Sequence, residues 1–239
     1  MSNTMRQTGP VGIIGAMKPE MDAIKAQVEN PQVTTVSGIA FVEGRIHGVP
    51  VVVATSGIGK VFAAICAQTM ILRYAPRLII NVGVAGSLTP DLNVGDIAVA
   101  DAVVQHDLDT TGIGDPLGMI SGLDLIELPC CRETADGLAE SAARQGYHHR
   151  CGVIASGDVF IRGGERKRFI VDQFHAISCE MEGASVGHVC FVNDTPFCVL
   201  RAISDSGDEN AISDYDMSLE MAADRATRVM DGYLKELSE

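Results

Sequence analysis

Short runs of β-branched and apolar residues alternate with helical stretches along almost the whole chain. The apolar runs have the length of buried strands and predict strands at Val11–Ile14, Val51–Ala54, Leu78–Val82, Asp96–Ala100, Gly152–Ala155 and Phe197–Ile203. The stretches between them predict helices over Glu20–Glu29, Val61–Tyr74, Arg132–Gln145, Gly183–Phe191 and Met217–Leu234. The Val61–Tyr74 helix is apolar on nearly all sides, so we expect it to be buried on more than one face. This alternation is typical of an α/β fold whose largely parallel sheet is covered by helices on both faces.

The length of 239 residues indicates one domain. We assign this domain to residues 11–239. The first ten residues, MSNTMRQTGP, lack the apolar segment of a secretory signal, so we expect residues 1–10 to form a flexible tail. No apolar stretch reaches the roughly 18 residues of a membrane-spanning helix.

The net charge excludes two classes of partner. Eighteen basic and 31 acidic residues give a formal net charge of −13 at pH 7. A surface this negative repels phosphate backbones and anionic lipids. We therefore expect neither nucleic acid nor a membrane surface as a partner, whereas a small neutral or cationic ligand stays open.

The cysteines and histidines point to reduced thiols and away from metal or covalent chemistry. The seven cysteines lie mostly in apolar runs without C-x-x-C spacing, which indicates a reducing compartment, and we expect the cytoplasm. His106 lies beside Asp107, but the spacing around them matches no standard zinc site. No Ser/His/Asp or Cys/His arrangement for a nucleophile stands out. The sequence therefore predicts no metal.

Small and polar residues gather where the predicted strands end, which is where open α/β sheets bind ligands. Glu20 falls in the first turn of a helix, where the dipole favours an ionised carboxylate; a plain helix start is the alternative. The NVGVAGS segment at 81–87 either lets a ligand approach the backbone or forms a packing corner. The TSGIGK segment at 55–60 predicts a strand-to-helix turn, because it lacks the full spacing of a phosphate loop.

One aromatic residue and a group of acids follow later strands. Phe160, next to a Gly-rich turn, is placed to stack on a flat heterocycle, unless it fills the core. Glu180 and Glu182 share one face if the backbone there is extended. Arg201 lies inside an apolar run and needs a buried acid, which either glutamate could supply. Asp205 emerges at the end of that run.

The order of these motifs resembles that of a known family. GIIGAM-x-x-E, SGIGK, IIN-x-G-x-AG, SGD-x-F, EME and RAISD follow one another between Val11 and Leu234. The set resembles the nucleoside phosphorylase/nucleosidase superfamily and, within it, the 5′-methylthioadenosine/S-adenosylhomocysteine nucleosidases. The resemblance implies a single-domain, three-layer α/β fold with a twisted central mixed sheet flanked by helices. It also implies a homodimer, no cofactor, and hydrolysis of the adenine–ribose bond of an adenine nucleoside thioether by water.

The resemblance also implies roles for individual residues. Glu20 would be the base that activates water, and Asp205 would be the general acid toward purine N7. Glu182 would accept the ribose hydroxyl protons. The remaining substrate-binding positions that the resemblance implies are Met17, Gly86, Phe160, Ile161, Met181, Arg201, Ser204 and Tyr215. Among them, Phe160 would stack on adenine, the Ile161 backbone would pair with the base edge, and Ser204 would orient Asp205.

The chain departs from the phosphorolytic members at the positions that would hold phosphate. Asn81 replaces the arginine of their R-V-G-x-x-G motif, and Glu20 brings an acid where they carry GDP-x-R. Phosphate is an anion that a carboxylate repels, so we expect hydrolysis. A purine nucleoside phosphorylase, a 6-amino-6-deoxyfutalosine hydrolase, 5′-deoxyadenosine as substrate and a non-catalytic nucleoside-binding protein stay open. Val84 replaces a serine common in the nucleosidases, and the loop at 105–129 is expected to line the 5′ pocket or a dimer interface.

Overall fold

The computed structural model describes residues 8–208 and 211–238. Its strands are β1 Val11–Gly15, β2 Glu29–Val36, β3 Ile39–Ile46, β4 Val49–Thr55, β5 Leu78–Ser87, β6 Ile97–Gln105, β7 Leu128–Pro129, β8 His149–Ser156, β9 Ser178–Glu180 and β10 Phe197–Asp205. Its α-helices are α1 Lys18–Ala26, α2 Lys60–Tyr74, α3 Arg132–Arg144, α4 Gly164–Phe174, α5 Gly183–Val192 and α6 Ala211–Glu236. Residues 1–7 of the expected tail lie outside the described residues, whereas the Pro10 carbonyl already accepts a hydrogen bond from the Arg77 backbone N–H at 3.0 Å.

The strands form one mixed sheet, part of which closes on itself. In order of pairing, the sheet runs β10-β6-β8-β9-β5-β1-β4-β3-β2, with β7 paired to β6. Because β10 also pairs with β5, the strands β5, β10, β6, β8 and β9 complete a ring. The ring brings the ends of β5, β9 and β10 close together, and these are the strands that carry the NVGVAGS, CEMEG and RAISD segments.

The helices flank the sheet in two groups. α6 packs on β5 and β10, with α1 and α3 beside it, and α2 packs on α5 and on β1 and β4. The expected single-domain α/β fold with a mixed central sheet is confirmed. The expectation that helix α2 is buried on more than one face is wrong for the isolated chain. One side of α2 packs inward, but Val61, Phe62 and Leu72 expose 70%, 52% and 75% of their surface.

The structure corrects two other expectations. The first helix ends at Ala26 instead of Glu29, because Glu29 already starts β2. The β2–β3 and β3–β4 turns were missed, although Ser37-Gly38 and His47-Gly48 are dipeptides typical of two-residue hairpins, and all four residues have positive φ. Strand β2 is largely exposed and carries few apolar residues, so it has no alternating pattern to detect. These hairpins and the antiparallel β6–β10 pair make the sheet mixed rather than largely parallel.

Within the described residues, no helix is both long and apolar enough to cross a membrane.

Candidate active site

A pocket with a cavity volume of about 120 Å³ lies where β5, β9 and β10 end. The pocket is lined by Ala16, Met17, Glu20, Ile58, Val84, Ala85, Gly86, Val159, Phe160, Ile161, Cys179, Glu180, Met181, Glu182, Ser204, Asp205 and Tyr215. Every site residue expected from the sequence is among them except Arg201. Residues 105–129 contribute nothing to this lining.

Glu20 projects into the pocket from the first turn of α1 and is 5% exposed. Its Oε2 accepts hydrogen bonds from the backbone N–H groups of Ala16 at 2.9 Å and Met17 at 2.8 Å. Its Oε1 accepts the Val84 backbone N–H at 3.1 Å. Burial raises the pKa of Glu20, against the opposing effects of Arg201 and these three N–H groups. Glu20 is therefore a fixed carboxylate with more than ordinary affinity for a proton.

Arg201 lies behind the pocket wall, where it is 2% exposed and pairs with Glu180. Its guanidinium also donates to the backbone carbonyl and the side-chain oxygen of Asn81. Arg201 thus lines no part of the pocket, contrary to its expected place among the binding residues. The choice left open between two acids is settled in favour of Glu180, because the backbone turns after Glu180 and places Glu182 at the N-cap of α5.

Glu180 is a structural carboxylate. It accepts hydrogen bonds from the Ser156 hydroxyl and from the backbone N–H groups of Glu182 at 3.0 Å and Gly183 at 2.7 Å. Burial acts to raise the pKa of Glu180, but the charge of Arg201 and the hydrogen bonds from Ser156, Arg201 and Gly183 outweigh it and lower the pKa. Glu180 therefore stays ionised at neutral pH.

Glu182 has fewer partners and a different charge state. Its Oε1 accepts the Gly59 backbone N–H at 2.7 Å, and the residue is 6% exposed. Burial and the nearby charge of Glu180 raise the pKa of Glu182 to about 7, although Arg201 and the Gly59 N–H oppose the change. Glu182 therefore titrates near neutral pH.

Asp205 ends β10 and is 3% exposed. Its Oδ2 accepts the Ser204 hydroxyl at 2.9 Å, and its Oδ1 accepts the Gly207 backbone N–H at 2.9 Å. Burial raises the pKa of Asp205 despite these two hydrogen bonds. A Cβ atom at Gly86 would lie 2.7 Å from Asp205 Oδ1, so only glycine leaves room for this carboxyl.

One side of the pocket is apolar and aromatic. Phe160 is 42% exposed, so it does not fill the core. Its ring meets the Tyr215 ring edge to face, with centroids 5.7 Å apart. The Tyr215 hydroxyl lies 3.2 Å from Met17 Sδ. An aromatic surface beside buried carboxyls suits a flat, hydrogen-bonding heterocycle attached to a polar group.

Carboxyl groups whose environments separate their pKa values are typical of acid–base sites. Here one acid is neutralised by an arginine and three others, Glu20, Glu182 and Asp205, have raised pKa values. Across residues 8–208 and 211–238, no group of three or more His, Cys, Asp or Glu side chains is arranged to hold a metal ion. The arrangement can donate a proton at one point of the pocket and accept one at another.

Comparison with known proteins places this architecture in a family. Residues 10–235 match the family model described as the Phosphorylase superfamily. The chain belongs to this superfamily.

Two curated members of the superfamily align with nearly the whole chain. The 5′-methylthioadenosine/S-adenosylhomocysteine nucleosidase of Shewanella halifaxensis is 36% identical over 228 residues, which cover 95% of this chain and 99% of the relative. The aminodeoxyfutalosine nucleosidase of Helicobacter pylori is 39% identical over 233 residues, which cover 95% and 98%.

A solved structure supports the same assignment. The Neisseria meningitidis 5′-methylthioadenosine/S-adenosylhomocysteine nucleosidase, in complex with methylthio-immucillin-A, is similar to this chain with a TM-score of 0.92 and 31% identity. The match covers 96% of this chain and all of the other.

The sequence interpretation missed several groups of this site. The SGIGK segment was expected to be a plain turn, but Gly59 bonds Glu182 and Ile58 lines the pocket. Cys179 and Val159 also line it. Backbone donors carry no side-chain signal, although two glycines directly before a helix were a sign that the chain approaches something closely.

We expect Glu182→Gln to stabilise the protein more at pH 8 than at pH 5. Because the pKa of Glu182 rises from 4.5 to about 7 on folding, the folded state binds this proton more tightly than the unfolded state. The stabilising effect of the proton is complete below the unfolded pKa and is lost as the pH rises through 7. Compared with a side chain that is always neutral, Glu182 therefore lowers the free energy of unfolding by about 1 kcal/mol at pH 5 and by about 3 kcal/mol at pH 8. Urea unfolding at the two pH values measures this difference.

Glu220→Gln is the matched control, since Glu220 lies exposed on α6. Its effect on the free energy of unfolding is expected to stay within about 0.5 kcal/mol at both pH values. An equal effect of Glu182→Gln at pH 5 and pH 8 would contradict the assigned charge state.

Proposed function

We propose that the chain hydrolyses the N-glycosidic bond of 5′-methylthioadenosine and S-adenosylhomocysteine, releasing adenine and the 5′-substituted ribose. The observation that carries the proposal is that one pocket holds two buried carboxyls of raised pKa, Glu20 from α1 and Asp205 from β10, beside an aromatic wall. The relatives that bear nucleosidase names support the same reaction.

Asp205 serves the leaving group. The adenine anion is a poor leaving group, so the bond breaks easily only if a proton reaches the purine N7 as charge builds up. A carboxyl whose pKa is raised by burial carries that proton closer to neutral pH. Ser204 and Gly207 fix the two oxygens of Asp205 and so direct its proton. Phe160 and the backbone at Ile161 hold the base in place.

Glu20 and Glu182 serve the sugar side. Three backbone N–H groups hold Glu20 as an acceptor, so it can take a proton from a water molecule that attacks the anomeric carbon. The ionised form of Glu182 accepts the ribose hydroxyl protons, next to Met181. Negative charge around the ring stabilises the oxocarbenium-like transition state.

The charge of the lining favours water over phosphate as the nucleophile. Four carboxyl residues line the pocket, and within the described residues no lysine or arginine does. Arg201, which lies behind the pocket wall, is paired with Glu180 and donates a hydrogen bond to Asn81. Carboxylates at this density repel a phosphate dianion.

A second substrate is favoured by one comparison. The Helicobacter pylori relative at 39% identity is named an aminodeoxyfutalosine nucleosidase. Such a substrate shares the adenine and ribose that the pocket reads and differs at the 5′ end. In this chain Val84 lines the pocket where many nucleosidases have serine, so the wall beside Glu20 is apolar.

The proposal extends to the compartment, the cofactor requirement and the oligomeric state of the enzyme. We propose a cytoplasmic enzyme that needs no cofactor and returns the products of S-adenosylmethionine chemistry to methionine salvage. None of the seven cysteines, all of which lie within the described residues, forms a disulfide, as is typical of a reducing compartment. We also propose a homodimer, in which a second copy covers the exposed apolar side chains of α2.

The proposed reaction predicts adenine release in phosphate-free buffer. Purified protein is incubated with 5′-methylthioadenosine, S-adenosylhomocysteine, 5′-deoxyadenosine or aminodeoxyfutalosine, and kcat/KM is measured for each by chromatography of free adenine. Release that requires added phosphate would show a phosphorylase instead. Binding without release would show a nucleoside sensor.

Loss of either catalytic acid is expected to be severe. Asp205→Asn removes the proton for the leaving group, and Glu20→Gln removes the base, so each lowers kcat by about 10²- to 10⁴-fold. Circular dichroism is expected to stay unchanged. Asp22→Asn, on the exposed side of the same helix as Glu20, is the control and keeps the wild-type rate. Near wild-type turnover in both test variants would refute the assigned roles.

The proposed dimer rests on the apolar side of α2. Val61 and Ile65 lie one helical turn apart and expose 70% and 40% of their surface. We expect a dimer by light scattering at micromolar concentration and a monomer for Val61→Glu/Ile65→Glu. Val33→Glu, at an equally exposed valine on β2, is expected to stay dimeric. A monomeric wild-type protein would contradict the proposal.

A further inference from the structure

Three turns beside the pocket are joined by a closed ring of hydrogen bonds. The Lys60 backbone N–H donates to Asp158 Oδ1 at 2.8 Å, and the Asp158 backbone N–H donates to Asp107 Oδ2 at 2.9 Å. Asp107 Oδ1 accepts the Lys60 ammonium at 2.7 Å, which closes the ring. We name Lys60, Asp107 and Asp158 the lysine ring.

The ion pair of the lysine ring is largely shielded from water. The side chains of Lys60 and Asp107 are only 19% and 17% exposed. The ammonium also donates to Gln105 Oε1 at 3.3 Å, and the Lys60 carbonyl accepts the Ser185 hydroxyl at 2.7 Å. Shielded, charge-assisted hydrogen bonds are screened less and are stronger than exposed ones. Lys60 is thus fixed at its backbone N–H, its carbonyl and its side chain.

The residue before Lys60 needs such support. Gly59 has a φ of +97°, and Gly57, two residues earlier, has a φ of +96°. These conformations favour glycine, which is also the residue that most readily changes its backbone angles. The Gly59 N–H nevertheless has to point at Glu182 Oε1, 2.7 Å away. The direction of the Gly59 N–H is therefore fixed by the contacts that hold Lys60, the next residue.

The same ring reaches the base side of the pocket. Asp158 lies in the turn after β8, directly before Val159 and Phe160, which line the pocket. Lys60 starts α2, directly after Gly59 and the pocket-lining Ile58. One ion pair therefore couples the position of the aromatic wall to that of the Glu182 partner.

On the basis of the function proposed above, we propose that Lys60 is a positioning residue: through Asp107 and Asp158 it holds the Gly59 N–H against the Glu182 carboxylate, which accepts the ribose hydroxyls. Lys60 itself does not line the pocket. It acts on the reaction through the Gly59 backbone.

The proposal has a consequence for pH dependence. The groups that act on Glu182 from the surrounding elements are Glu180 of β9, Arg201 of β10, Glu20 of α1 and Tyr215 of α6. Lys60 is not among the largest contributions to the pKa of Glu182. A weakened Gly59 contact removes one of the effects that lower the pKa of Glu182, so this pKa rises further. The ionised fraction at pH 7 then falls and returns only at higher pH.

The test is Lys60→Met, which keeps both backbone hydrogen bonds of residue 60 and removes only the ammonium. We expect kcat/KM for 5′-methylthioadenosine to fall about 10- to 100-fold at pH 7. We expect the acidic limb of the pH profile to move to higher pH, so that the loss narrows at pH 9. Lys25→Met is the matched control, because Lys25 is also half-buried and donates to Thr55 Oγ1 at 2.7 Å.

A loss that is equal at every pH, or no loss, would overturn the proposal. Asp107→Asn breaks the same ion pair from the other side and keeps an oxygen for the Asp158 N–H, so it is expected to give the same shift. It serves in place of Lys60→Met if that variant does not fold, as judged by its melting temperature.

A measurement without turnover separates this proposal from the proposed function. The Gly59 amide resonance in a ¹⁵N-labelled sample is expected to follow the titration of Glu182 in the wild-type protein and much less in Lys60→Met. If the wild-type protein releases no adenine, the proposed function fails and this resonance alone decides the role of Lys60. An unchanged Gly59 titration in Lys60→Met would overturn that role.

Discussion

One buried guanidinium organises the charges of the site. Arg201 is almost fully buried, and it donates hydrogen bonds to Glu180, to the backbone and side chain of Asn81 and to the backbone carbonyl of Leu200. Burying a carboxylate without a partner costs several kcal/mol, so a cation within the sheet is what allows acids to gather here at all. Arg201 neutralises Glu180 directly and opposes the rise in pKa of Glu20 and Glu182 only from a distance. The result is one acid held for structure and others left reactive.

Backbone N–H groups hold the three other acids of the site in place. Glu20 accepts three of them, Glu182 accepts that of Gly59, and Asp205 accepts that of Gly207. These donors lie within or after four different strands, β1, β4, β5 and β10, and the pairing of β1 with β4 and β5, and of β5 with β10, brings them together. Groups fixed in this way need little reorganisation when charge develops in a reaction. The lysine ring in turn holds one of these donors, because it fixes the start of α2 directly after Gly59, whose N–H bonds Glu182.

Much of the fold was open to prediction from the residues. The six predicted strands are all present, because β-branched runs between turn residues have few other ways to bury themselves. The elements that escaped prediction are strands β2, β3, β7 and β9 and helix α4. Of these, β2 is exposed, and the GERKRFIVDQF sequence of α4 buries only Ile170 and Phe174. Elements that bury little leave a weak pattern. The candidate site residues were found from ordered motifs, and all but Arg201 line one pocket.

The sequence by itself determined the α/β class, the strand ends that carry small and acidic residues, and the need of Arg201 for an acidic partner. Those properties follow from local patterning and from the cost of burying charge. Only the tertiary structure decided that Glu180 is that partner, that Glu182 is therefore free to titrate near pH 7, and that Gly59 reaches it across 123 positions of the chain. Such choices depend on distances between segments far apart in sequence, and those distances exist only once the strands have paired.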